Sequence, residues 1–179
     1  MTARRGFTLI EMMVVIAVIG VLAATIIPSI QDVTMKARDA RRKADLNNIQ
    51  LALERFYEDN GYYPPSNCGW DCNEYRYSTN GPAWIPEIVP YLRGGSIPRD
   101  PINNAAAPWS TGNYSYTYGN VGRTTYSPSY DLTAQLENPR DKDRCGAQGY
   151  RFYFDNRYWC TAFGGSYSNQ IYEIGPMTQ

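Results

Sequence analysis

"RRGFTLIEMMVVIAVIGVLAATIIP" occupies residues 4–28, and its reading decides the fold. From Met12 to Gln31 the chain carries no Asp, Glu, Lys or Arg, and a run of about twenty apolar residues is what a bilayer-spanning helix needs. Glu11 is the only charge between Phe7 and Gln31. A carboxylate well inside hydrocarbon costs on the order of 3 kcal/mol, so one placed at the head of such a run points to a specific pairing role.

Two plainer readings compete. A secretory signal peptide would use Arg4 and Arg5 as its basic flank and "VLA" at Val21 to Ala23 as a small-residue cleavage site. However, the run continues through "ATIIPSI" to Ile30, too long for a signal core and long enough to stay in a membrane as a simple anchor. Beyond Pro28, apolar residues recur at Ile30, Val33, Ala37, Ala40, Ala44, Leu46, Ile49, Leu53 and Phe56, mostly at the spacing of one helix face. The pattern predicts one helix from Phe7 to about Glu58, apolar all round in its first half and amphipathic in its second. Gly20 and Pro28 weaken it locally and predict a kink rather than a break.

The segment "KARDARRK", residues 36–43, holds five basic residues and one acidic. Lys36 to Lys43 reads either as a nucleic-acid or headgroup patch, or as a solvated helix face with surface pairs Asp39 to Lys43 and Arg41 to Asp45. The solvated face is the preferred reading. Counting basic residues near the span would place this flank in the cytoplasm, whereas the cysteines argue for the opposite side.

Lys plus Arg and Asp plus Glu both number 17, so no global charge recruits an anionic partner. There is no His among the 179 residues, which removes the commonest general acid/base and metal ligand and every Ser-His or Cys-His nucleophile pair. No enzyme is indicated. Cys68, Cys72, Cys145 and Cys160 all follow the hydrophobic segment. The three residues inside "CGWDC" and the fourteen between Cys145 and Cys160 suit zinc poorly, so disulfides in an oxidising compartment are expected. Four cysteines pair in three ways, and spacing does not choose among them.

The segment 4–28 resembles the class III signal of type IV pilins and of the pseudopilins of type II secretion. That resemblance implies cleavage after Gly6 by a prepilin peptidase and methylation of Phe7. It also implies an assembly role for Glu11, whose carboxylate would neutralise the Phe7 amine of a neighbouring copy. A buried ion pair of this kind sets register between subunits. "ARRKADLNNIQLALERFYEDNGYYPP", residues 40–65, is similar to the helix end of major pseudopilins, and "PYLRGGSIPRDP", residues 90–101, to the loop that follows. Physically, Asn60 and Gly61 supply a helix stop, and Pro64 and Pro65 forbid continuation.

These readings divide the chain into a leader, 1–6; a transmembrane or filament-core helix, 7–31; its amphipathic continuation, 32–60; and an extracytoplasmic head, 61–179. In the head, 62–113 reads as a long ordered loop with a short helix near "PEIVPYL", and about 114–175 as an antiparallel sheet. The expected strands are 114–119, 129–137 and a hairpin around Asn156. The fold class is α+β and pilin-like, the small sheet packing its apolar face on the amphipathic helix. Most of the sixteen tyrosines are expected to pack their rings in the sheet and turn their hydroxyls to water. The resemblance favours a bridge Cys145 to Cys160, and Cys68 to Cys72 is preferred as a staple of the long loop. The resemblance also makes Glu137, Asp141 and Asp143 candidate calcium ligands, against the reading of 137–144 as a solvated charged turn.

The expected function is that of a structural filament subunit whose partners are copies of itself, a prepilin peptidase and inner-membrane assembly machinery. Before assembly it would sit as a single-pass protein in the lipid bilayer with a cytoplasmic N-terminus, and afterwards in a surface or periplasmic filament. The rival is a membrane-anchored or secreted extracytoplasmic binding domain.

Overall fold

The computed structural model describes residues 6–66, 75–105, 110–121, 129–144, 152–153, 157–158 and 170–175, without the side chains of 25–29, 121, 152–153 and 157–158. All four cysteines, and hence both expected bridges, lie outside these residues. The chain divides into two units, Met1–Ala37 and Arg38–Gln179.

Helix α1 runs from Leu9 to Asn60, and neither Gly20 nor Pro28 ends it. It stops as its sequence dictates. Gly61 takes a left-handed backbone at φ 76°, its N–H donates to the Tyr57 carbonyl at 2.7 Å, and the Asn60 side-chain amide donates to the Phe56 carbonyl at 2.8 Å. A side chain at position 61 would resist that conformation, which glycine adopts freely. In the first unit the apolar side chains are exposed from Phe7 to Leu22 and again at Ile30 and Val33. Among the described residues no helix is long and apolar enough to cross a membrane.

The second unit carries a four-stranded antiparallel sheet in the order β1 (Arg76–Tyr77), β2 (Thr117–Val121), β3 (Ser129–Gln135) and β6 (Ile171–Ile174). A separate pair, β4 (Phe152–Tyr153) and β5 (Arg157–Tyr158), flanks Asn156 as expected of the hairpin, but it stands apart from the main sheet. The sheet edges are instead β1 and β6, which the sequence patterning did not mark as strands. Two- and four-residue strands present too few alternations to register. Strand β2 begins three residues later than the alternation in 114–119 suggests. The helix expected near "PEIVPYL" is a 3-10 helix, Pro86–Tyr91.

The core joins Leu46, Ile49, Leu53 and Phe56 of α1 to Tyr116 and Tyr118 at β2, and to Tyr130, Leu132 and Ala134 of β3. Trp84, Ile85 and Ile88 from the long loop complete it. Each fully buried Leu, Ile or Phe contributes about 1.5–3 kcal/mol relative to exposure. Strand β3 is buried on both faces, because Asp131, Thr133 and Gln135 are as inaccessible as the apolar residues between them. The loop after α1 is tied to β2, where the Tyr118 hydroxyl donates to the Pro64 carbonyl at 2.6 Å and the Asn120 N–H to Ser66 Oγ at 2.7 Å.

The buried stripe of α1 differs from expectation at its start. Ala37, Ala40 and Ala44 are exposed, and the positions turned inward are Asp39 and Arg42, followed by Leu46, Ile49, Leu53 and Phe56. The steps of three and four are kept, but the stripe opens with charges.

Candidate functional site

Two arrangements bear on function, one at the start of α1 and one on its second half. At the start, Thr8 and Glu11 cap the helix reciprocally. The Thr8 N–H and hydroxyl both donate to Glu11 Oε2 at 2.7 Å, and the Glu11 N–H donates to Thr8 Oγ1 at 3.3 Å. Thr-x-x-Glu is the capping-box pattern, so Thr8 was legible in the sequence although the reading for assembly residues passed over it. Around this polar turn everything is apolar and exposed, with Phe7 at 79% and Leu9 at 77% of full accessibility. Contiguous apolar surface on this scale marks an interaction surface. Gly6 and Phe7 precede the helix and are accessible.

On the second half, four consecutive-turn positions of α1 hold the turn that follows β3. Arg42 is fully buried and lies among three carboxylates: Nη1 donates to Asp39 Oδ1 at 2.8 Å and Glu137 Oε1 at 2.5 Å, and Nε and Nη2 donate to the two oxygens of Asp100 at 2.7 and 3.1 Å. Its guanidinium also lies 4.6 Å from the centre of the Tyr114 ring. Arg38 grips both oxygens of Glu137, at 2.7 and 2.5 Å. Asp39 accepts the backbone N–H groups of Glu137 and Asn138 at 2.9 and 2.8 Å. Lys43 Nζ donates to Asp141 Oδ1 and Asp143 Oδ2, both at 2.6 Å. Charge-assisted and bidentate bonds of this kind are the strong ones.

This geometry corrects the reading of Lys36 to Lys43. The pair Arg41 to Asp45 is present at 3.5 Å, but Asp39 pairs with Arg42 rather than Lys43. The face is solvated only in part: Lys36 and Arg41 are exposed, whereas Arg38, Arg42 and Lys43 are paired with the head's own carboxylates. Burial would raise the Glu137 pKa, but the bonds from Arg38 and Arg42 outweigh it and hold the carboxyl below its usual range. Burial likewise opposes the charge on Arg42, and Asp100, Glu137 and Asp39 together hold it protonated. The three candidate calcium ligands each meet a cationic side chain, Glu137 that of Arg38 and Arg42, Asp141 and Asp143 that of Lys43.

Four of the described tyrosines depart from expectation. Their hydroxyls turn to carboxylates of α1: Tyr116 to Asp45 at 2.9 Å, Tyr63 and Tyr130 to Glu54 at 2.8 and 3.0 Å, and Tyr91 to Asp59 at 2.9 Å. Burial raises the pKa values of Tyr63, Tyr116, Tyr118 and Tyr130 above the ordinary phenol value. Below that value both the folded and the unfolded chain are protonated. Above it the unfolded chain ionises first and binds fewer protons, so stability falls as pH rises, by about 1.4 kcal/mol per pH unit for each tyrosine. Urea melts from about pH 8 to about pH 11 should therefore show a steep loss beginning near pH 10. Absorbance at the phenolate band is expected to rise together with unfolding, and ionisation of these tyrosines before unfolding would contradict the assignment.

A long N-terminal helix with an exposed apolar head segment, a single carboxylate in that segment and a small antiparallel sheet define a pilin-like subunit. Comparison with known proteins agrees. Residues 1–27 match the family model for the prokaryotic N-terminal methylation motif. The chain is 35% identical over 129 residues to the type II secretion system core protein G of Escherichia coli (strain K12), covering 72% of this chain and 79% of that protein. It is 34% identical over 112 residues to the Aeromonas hydrophila protein of the same name, covering 61% and 75%. The match to the type IV major pilin protein PilE1 of Neisseria gonorrhoeae is 38% over 66 residues, 37% of this chain and 40% of the pilin. No solved structure matches. The chain belongs to the family of type II secretion system core protein G.

Proposed function

We propose that the chain is a structural subunit, not an enzyme, that polymerises through its N-terminal helix after removal of residues 1–6. The observation that carries this reading is the apolar, exposed surface from Phe7 to Leu22 interrupted by one carboxylate, Glu11. Lipid covers that surface first and the helices of other copies cover it afterwards, with tight side-chain packing replacing lipid contacts. The sequence from Met12 to Gln31 has the length for a single crossing, with the basic leader on the cytoplasmic side and the head outside. Cleavage after Gly6 leaves an amine on Phe7 that the Glu11 carboxylate of a neighbouring copy neutralises. The prepilin peptidase and an inner-membrane assembly machine are the partners that this route requires. Similarity across 72% of the chain to a type II secretion protein, against 37% to a type IV pilin, favours a secretion pseudopilus over a pilus.

The test is a Gly6→Val variant expressed in a strain that assembles the wild type. Wild-type chain is expected in the sheared, pelletable surface fraction. The variant is expected to stay uncleaved in the membrane, with at least a tenfold loss from that fraction. Equal release of the two chains would remove processing from the account.

A further inference from the structure

The turn 137–144 is where the family resemblance places a calcium ion, and this chain has built something else there. We propose that the ammonium of Lys43 fills the cation seat of this turn, so that the head closes onto its helix without a bound metal ion. The two carboxylates that a metal would draw together, Asp141 and Asp143, converge on Lys43 Nζ at 2.6 Å each. An ammonium has three donors, and the remaining side of Lys43 looks toward the ring of Tyr172, 5.8 Å to its centre, within the range of a cation–π contact.

Several other oxygens of the turn are engaged within it. The Asn138 carbonyl accepts from the Asp141 N–H and from Arg144 Nη1, both at 3.1 Å. The Asp141 carbonyl accepts from the Arg144 N–H at 3.3 Å, and Asp141 Oδ1 accepts from the Asp143 N–H at 2.9 Å. Glu137, the third carboxylate, belongs to Arg38 and Arg42. A divalent ion entering here would meet the like charge of Lys43 and would have to displace it. Burial works against the ammonium, but Asp141 and Asp143 outweigh it and keep Lys43 charged. The ammonium joins residues 98 and 100 positions apart, which is the mechanical task of a metal clip. It does so with a group that the chain always carries.

The experiment uses the full chain in detergent micelles. Thermal unfolding of the head is followed by tryptophan fluorescence in excess chelator and in calcium, with calorimetric titration of calcium alongside. The wild type is expected to melt at the same temperature in both conditions and to show no saturable binding heat. Lys43→Met is expected to melt lower by roughly 2–6 °C in chelator, while Lys43→Arg retains most of the stability and remains insensitive to calcium. Calcium raising the wild-type melting temperature, or saturable binding to the wild type, overturns the proposal. So does a Lys43→Met variant that melts with the wild type in chelator. If Lys43→Met does not fold, the wild-type comparison decides alone. The inference does not depend on which filament the chain serves.

Discussion

Glu11→Ala is expected to abolish filament incorporation while leaving membrane insertion intact. Removing an acidic residue from an apolar run makes insertion easier, so the membrane form persists. In the filament core the variant leaves the Phe7 amine of each neighbour without a counter-charge. Removing one partner of a buried pair costs about 3–5 kcal/mol, which is on the order of a hundredfold or more in an assembly equilibrium. Because Glu11 also caps its own helix through Thr8, a loss of assembly from Glu11→Ala alone would be ambiguous. Glu11→Gln resolves it, since Gln serves the capping box as Glu does but carries no charge. The account predicts that Gln fails like Ala in pelletable surface fractions. Normal filaments from Glu11→Gln would transfer the role of Glu11 from pairing to capping.

Arg42→Met is expected to destabilise the head by about 3–5 kcal/mol, or a melting temperature lower by roughly 10 °C. The reason is not that the salt bridge is intrinsically favourable, because a buried ion pair often only balances its desolvation. The loss comes from what remains, the buried carboxylates of Asp39 and Asp100 with no guanidinium between them. In the wild type Glu137 ties the stability of this turn to pH. Its depressed pKa gives stability that is present above the ordinary carboxylate range and is lost as pH falls through the folded value. A variant within about 1 kcal/mol of wild type at neutral pH would show that the guanidinium cluster does not hold the turn.

Much of the fold was legible because it rests on periodicity and punctuation. The single long helix, its end at Asn60 and Gly61, strand β3 and the hairpin around Asn156 follow from apolar spacing, a left-handed stop and alternation. The buried charges Asp39 and Arg42 that hold the turn after β3 were not legible, for a physical reason. A stripe that continues its steps of three and four into Asp39 and Arg42 reads as solvated, since charges are rarely buried unless paired. Their partners, Asp100 and Glu137, are far away in sequence. The burial of Arg42 can be read only once the sheet has brought Glu137 back beside the helix. The tyrosine hydroxyls escaped notice in the same way, because a ring in a strand says nothing about which helix carboxylate its oxygen will meet. Thr8 was the exception, a local signal four residues long that the question of charge pairing overshadowed.

The most direct test of the central claim, assembly of a processed subunit through its N-terminal helix, is intact-mass and N-terminal analysis of the chain recovered from the sheared surface fraction. The account predicts a chain beginning at a methylated Phe7. A chain beginning at Met1 or near Thr25 in that fraction would contradict it.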